Sequence, residues 1–111
     1  MGSDRRSPCP VSCTLDLIGD RWTLLVVRDL HLGKATFKEF LASPEGIATN
    51  ILTQRLGRLV DAGLVKKRPT PEHSGRFTYT LTAKGRSLLP LLEQIRDWGL
   101  EHLKGTRALL G

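Results

Sequence analysis

The stretch TNILTQRLGRLVDAGLVKKR, from Thr49 to Arg68, places amide, hydroxyl and guanidinium groups at helical spacing. If Leu52 is at the centre of the buried side, Leu56 and Leu59 fall on that same side of a helix with a 3.6-residue period. The opposite side holds polar residues and a glycine: Asn50, Thr53, Gln54, Gly57, Arg58 and Asp61. Asn and Gln side chains can pair with adenine, Arg with guanine, and Thr with several base edges. This face suits base reading in a DNA major groove, and a solvated polar face is the alternative.

Gly57 lies inside this predicted helix, where glycine costs about 1 kcal/mol of stability relative to alanine. On an exposed face, a glycine permits close approach to a DNA backbone. It can also relieve crowding against a neighbouring element, and the sequence alone favours this packing explanation.

A basic segment follows the helix. The whole net charge of +6 lies between Ile47 and Arg86, a segment with eight cations and two acids. The cations on or beside a predicted hairpin are Lys66, Lys67, Arg68 and Arg76. They suit phosphate contacts, which position a protein without reading sequence, and His73 near the hairpin tip is a further candidate. A localised basic surface is typical of proteins with a polyanionic partner, and a basic face that serves solubility is the alternative.

Hydrophobic periodicity predicts the elements that position these residues. We expect helices over 11–19, 20–33, 36–44 and 48–62, strands over 65–70 and 76–82, and a long helix over 82–103. Thr36 and Glu39 predict a capping box, and Gly63 a helix stop. The expected fold is mainly α with a small β-hairpin (α+β), on the plan of a winged helix-turn-helix. Residues 48–62 form the recognition helix and 64–82 the wing. A flexible arm (1–10) precedes the domain (11–104), and a tail (105–111) follows it.

The last predicted helix carries an apolar stripe that is broader than one small domain can cover. Its members are Leu88, Leu91, Leu92, Ile95, Trp98 and Gly99. Aromatic residues are enriched in interface cores, so we expect Trp98 to anchor the contact with a second copy of the chain. Burial of Trp98 in the monomer core is the alternative. A two-fold dimer would place its recognition helices about 34 Å apart, on a pseudo-palindromic operator.

Several segments resemble the HxlR-type winged-helix transcriptional regulators of bacteria and archaea. They lie between Cys9 and about Gly99 and read CPV, LDLIGDRWTLLVVRDL, FKEF, LTQRL, GLVKKR and YTLTAKGRSLLPLLEQIRDWG. The resemblance implies a homodimeric DNA-binding regulator whose LTQRL helix enters the major groove. The DNA-facing positions that it implies are Thr49, Asn50, Thr53, Gln54 and Arg55. It also implies a dimer interface formed by the first and last helices, where we expect Leu15, Leu88, Leu92, Ile95 and Trp98.

Two positions qualify this resemblance. Arg55 falls at the edge of the buried side of the predicted helix, so it either reaches a phosphate or holds the helix to the rest of the domain. Ala48 stands where the family often has Ser. The missing hydroxyl weakens any prediction of a side-chain cap or phosphate contact there.

Cys9 and Cys13 are the cysteines of the chain. In a cytosolic protein a structural disulfide is not expected. Cys9 lies at the CPV position, where some members of the family carry a reactive thiol. Arg5, Arg6 and a nearby helix N-terminus favour its thiolate form. We therefore consider oxidation of Cys9 as a signal, and simple packing of the two cysteines as the preferred alternative.

Other function classes find less support in the sequence. The histidines and cysteines form no recognisable metal-ligand set, and no glycine loop, paired carboxylates or nucleophile with a partner base indicates an enzyme or a cofactor. No apolar run is long enough to span a membrane, so we expect a cytoplasmic protein. We expect repression, the simplest mode for a small chain; the effector, if any, stays open. A winged-helix module that binds protein through the same surface is the remaining alternative.

Overall fold

The computed structural model describes residues 7–72 and 75–108. Six helices and two strands follow one another in these ranges: α1 (Pro10–Ile18), α2 (Thr23–His31), α3 (Phe37–Leu41), α4 (Thr49–Asp61), β1 (Val65–Pro69), β2 (Phe77–Leu81), α5 (Ala83–Arg86) and α6 (Leu89–His102). The predicted α+β plan, with a helix-turn-helix followed by a two-stranded hairpin, is confirmed. None of the helices in the described ranges has the length and apolar character of a membrane span.

The core forms where α2, α3, α4 and the hairpin meet. Leu52, Leu56 and Leu59 of α4 are buried, as the helical period predicts. They join a cluster that includes Val27 of α2 and Phe40 of α3. Burial of each such side chain contributes about 1.5–3 kcal/mol. The apolar side of α4 is thereby fixed to α2, α3 and β1, which leaves its polar side outward.

The hairpin is antiparallel, with Val65 opposite Leu81 and Lys67 opposite Tyr79. Since side chains alternate between the faces of a strand, these four residues share one face. Tyr79 is buried on it, and the Tyr79 backbone N–H donates to the Ala35 carbonyl at 2.9 Å. The hairpin is therefore fixed to the turn that precedes α3.

Local capping signals in the sequence are confirmed. Thr36 Oγ1 accepts from the Glu39 backbone N–H at 3.3 Å, and Glu39 Oε1 accepts from the Thr36 backbone N–H at 3.0 Å. These bonds form the predicted capping box, and backbone donors at Ala35 and Thr36 lower the pKa of Glu39. Gly63 follows α4 with a φ of +76°, a left-handed conformation that favours glycine at a helix stop.

The prediction of one long helix over 82–103 is wrong. The chain forms two helices there, and they meet at Ser87 and Leu88. Pro90 lies in the first turn of α6. Proline has no backbone N–H to donate, and the first turn is the helical position that tolerates this loss. Pro90 therefore marks the beginning of a new helix.

Candidate DNA-binding surface

The outer face of α4 is exposed and uncharged in its first half. Asn50, Thr53 and Gln54 all lie on the surface. Thr53 Oγ1 donates to the Thr49 carbonyl at 2.9 Å, and Gln54 Oε1 accepts from Arg55 Nη1 at 3.3 Å. Ala48 precedes α4 as its N-cap and makes no side-chain cap hydrogen bond. The first half of α4 therefore presents amide and hydroxyl groups, the residue types that read base edges.

Asp20 lies between α1 and α2 and binds both arginines of α4. Arg55 Nε donates to Asp20 Oδ2 at 2.7 Å, and Arg58 Nη1 donates to Asp20 Oδ1 at 3.2 Å. Partial burial opposes ionisation of this carboxyl. Hydrogen bonds from Thr23, Arg55 and the Trp22 backbone, together with the charge of Arg55, nevertheless hold the pKa of Asp20 well below its usual range.

These ion pairs favour one of the two roles that the sequence left open for Arg55. Its side chain is 15% exposed and holds α4 to the α1–α2 junction. The Arg58 side chain is 40% exposed. Contact of either arginine with DNA stays a prediction. Counting charge by segment overstated the available positive charge, because the single negative charge of Asp20, which pairs with both arginines, lies outside the basic segment.

The hairpin presents the remaining cations. Lys66, Arg68 and Arg76 are exposed and make no ion pair within the described ranges. Lys67 instead lies on the Tyr79 side of the hairpin, with its Nζ 4.1 Å from the centre of the Phe77 ring. His73 lies outside the described residues. Lys67 is nevertheless exposed, and contact of these cations with phosphates stays a prediction.

Gly57 opens a cleft between α4 and the hairpin. The cleft has a volume of about 300 Å³, and its lining includes Gly57, Phe37, Lys67 and Tyr79. A Cβ atom at Gly57 would meet no heavy atom within 4 Å. The packing explanation preferred from the sequence therefore has no support among the described residues, because none of their atoms crowds this position. Close approach of a DNA backbone stays a prediction.

A buried ionic network, which the sequence analysis missed, holds the turn that leads into α4. Arg28 donates to both carboxylate oxygens of Glu45 at 2.8 Å and to Asp29 Oδ1 at 2.9 and 3.1 Å. Ser43 Oγ also donates to Asp29, and Lys34 Nζ donates to Ser43 Oγ at 2.6 Å. The hydrogen bonds with Glu45 raise the pKa of Arg28 above its usual value and lower that of Glu45. The sequence feature that could have revealed this network is the Arg-Asp pair within the apolar run LLVVRDL.

The predicted dimer face is exposed in part. Leu15, Ile95 and Trp98 are 55%, 49% and 60% exposed, so Trp98 does not belong to the monomer core. Leu92 is buried and Leu88 is half-buried against the same core. Both side chains therefore pack within the chain, and their contribution to a dimer interface stays a prediction.

A groove of about 520 Å³ runs between α1 and α6, and its lining includes Leu15, Leu24, Leu91 and Ile95. Cys9 is exposed at the N-cap of α1, and Cys13 is half-buried with its Sγ donating to the Ser7 carbonyl at 3.3 Å. Arg5 and Arg6, expected to favour the Cys9 thiolate, lie outside the described residues. The part of the chain that the structure describes contains no group of three or more potential metal ligands.

Known proteins with the same architecture are transcriptional regulators. Residues 17–107 match the HxlR-like helix-turn-helix family model. The chain is 33% identical over 96 residues to the uncharacterized HTH-type transcriptional regulator sll1512 of Synechocystis, covering 86% of this chain and 71% of that protein. It is 36% identical over 89 residues to YvaP of Bacillus subtilis, another HTH-type transcriptional regulator, with 80% and 82% of the two chains covered. The reduced form of the redox regulator HypR superimposes with a TM-score of 0.78 at 31% identity, over 86% of this chain and 95% of HypR.

Proposed function

Because the chain belongs to the HxlR-like helix-turn-helix family of DNA-binding transcriptional regulators, which are not enzymes, we propose that it binds a pseudo-palindromic operator as a homodimer. In this proposal α4 enters the major groove and the hairpin contacts flanking phosphates. Binding over a promoter would repress transcription by occupancy, and the protein would act in the cytoplasm.

The observation that carries this proposal is the separation of uncharged and positively charged side chains between α4 and the hairpin. The first half of α4 presents Asn50, Thr53 and Gln54 without charge, while Lys66 and Arg68 on the outer hairpin face make no ion pair within residues 7–72 and 75–108. Amide groups specify bases, and cations position the protein on phosphates. A surface that only serves solubility would not be expected to separate amide side chains from unpaired cations in this way.

The proposal of a homodimer rests on the exposed apolar groove between α1 and α6. Leu15, Ile95 and Trp98 present large apolar surface at this groove and beside it. Contiguous apolar surface of this kind typically marks a protein interface. A two-fold arrangement through α1 and α6 would present two copies of α4 to one side of the DNA.

Replacing Asn50 or Gln54 with alanine should lower affinity for the duplex upstream of the protein's own gene by about 1–3 kcal/mol. Affinity for a scrambled duplex should stay unchanged, because these amides are expected to contact bases only. Fluorescence anisotropy at several salt concentrations measures both affinities. Lys66→Ala should weaken binding to both duplexes and reduce the salt slope by about 1.

Lys104→Ala is the matched control, since Lys104 is an exposed cation outside the basic segment. It should change neither the affinity ratio nor the salt slope. A protein that binds neither duplex above background at low salt would contradict the proposal, and the hairpin surface would then need a protein partner.

A second candidate function is redox sensing through Cys9. Its thiol is exposed at the start of α1, beside the proposed dimer face, and the structurally similar HypR is a redox regulator. Diamide treatment, which joins two thiols in a disulfide, should lower operator affinity in wild-type protein and in Cys13→Ser but not in Cys9→Ser. Equal affinity of oxidised and reduced wild-type protein in the anisotropy assay would leave Cys9 as a structural residue.

A further inference from the structure

Asp20 is the acceptor for hydrogen bonds from two parts of the chain. The Trp22 and Thr23 backbone N–H groups donate to Oδ2 at 3.0 and 3.2 Å, and Thr23 Oγ1 donates to Oδ1. Arg55 and Arg58 of α4 donate to the same two oxygens. A carboxylate with this many donors has a fixed position, so Asp20 is a rigid reference point for α4.

The contacts continue from Asp20 through Arg55 to the exposed amide of Gln54. Arg55 donates to Asp20 through Nε at 2.7 Å and to Gln54 Oε1 through Nη1 at 3.3 Å. The guanidinium group is planar and rigid. It therefore transmits the position of Asp20 to Gln54 and biases the direction of the Gln54 amide.

The same contacts keep positive charge away from a bound duplex. Arg55 is mostly buried in its pair with Asp20, and Arg58 shares that carboxylate. Cations available to phosphates raise affinity for every DNA sequence alike. The negative charge of Asp20 offsets one of these two positive charges. Less positive charge is therefore available to phosphates, and the uncharged face of α4 contributes more to which sequence is bound.

On the basis of the DNA-binding role proposed above, we propose that Asp20 is a positioning residue for sequence discrimination. It acts through Arg55 on Gln54, and it withholds Arg55 and Arg58 from the phosphate backbone. Asp20 thus sets the ratio between operator binding and sequence-independent binding.

Asp20→Asn tests this role with the upstream and scrambled duplexes. The ratio of operator to scrambled affinity should fall about tenfold, because Gln54 loses its fixed direction. The salt slope on the scrambled duplex should become steeper by about one to two, because the released arginines reach phosphates. A variant that weakens both duplexes equally, with an unchanged salt slope, would show a merely structural role and overturn the proposal.

Glu93→Gln is the matched control, since Glu93 is an exposed acid of α6 with no ion pair in the described ranges. It makes the same charge change outside the proposed DNA-binding surface and should leave the ratio of operator to scrambled affinity unchanged. A similar loss of this ratio in Glu93→Gln would show that Asp20 acts only through net charge and would overturn the proposal.

Arg55→Gln provides a second test if Asp20→Asn fails to fold, because Asp20 keeps its contacts with Trp22 and Thr23. Arg55→Gln and Gln54→Ala should each lower the affinity ratio, and the double variant should be no worse than the more affected single variant. Independent, multiplying effects would overturn the proposal. Absence of duplex binding by wild-type protein would instead contradict the DNA-binding role itself.

Discussion

Arg28→Met lowers the free energy of unfolding by about 3–5 kcal/mol, the cost of leaving a buried charge without its partner. Arg28 and Asp29 side chains are 10% and 6% exposed, and Arg28 also binds Glu45. Methionine fills a similar length but leaves Asp29 with only its hydrogen bond from Ser43. Urea denaturation followed by circular dichroism measures the loss. A domain of this size is stable by about 5–15 kcal/mol in all.

Arg96→Met is the matched control for this variant. Arg96 pairs with Asp97 at 2.9 Å, but the Asp97 side chain is 55% exposed. Solvent screening leaves an exposed ion pair of this kind with little effect on stability, so Arg96→Met should unfold at nearly the same urea concentration as wild type. An Arg28→Met protein as stable as wild type would show that the network contributes nothing net to stability.

If the protein is the proposed dimer, Leu15→Glu should convert it to a monomer and lower operator affinity by about 10²–10⁴-fold. A charge placed in an apolar interface is desolvated without a partner, so the two copies separate. Each monomer then binds a half-site without the effective concentration that a linked second site provides. Analytical ultracentrifugation measures the oligomeric state, and anisotropy measures the affinity.

Leu32→Glu makes the same change at another exposed leucine. Leu15 is 55% exposed and lines the α1–α6 groove, whereas Leu32, at 44% exposed, follows α2 and is not part of the groove lining. Leu32→Glu should leave both the oligomeric state and the operator affinity unchanged. A dimeric Leu15→Glu protein with wild-type affinity would rule out an interface at this groove.

Local and periodic features of the fold follow from the sequence. The capping box at Thr36 and Glu39 involves residues three positions apart, and the buried side of α4 follows from one helical period. The exposed residues Asn50 and Gln54 follow from that same period. Such features depend on neighbours in the chain, which the sequence displays directly.

Features that join distant parts of the chain were not predictable. Arg55 and Asp20 are 35 positions apart, and Arg28 and Glu45 are 17 apart. Each of these two arginines could pair with several acidic residues, and only the tertiary structure shows which one it contacts. The same limit explains Leu92, because a broad apolar stripe on a helix does not show which of its edges the monomer core already covers.

The separation of charge between hairpin and helix also has a kinetic consequence. Electrostatic attraction acts at a distance and governs encounter, while short-range contacts govern how long a complex lasts. Lys66 and Arg68 carry their charge on the outer hairpin, whereas Arg55 and Arg58 are paired with Asp20. In the proposed mode of binding, the wing would set how fast the protein arrives on DNA and how strongly arrival depends on salt. The amides of α4 would then determine the residence time on a site.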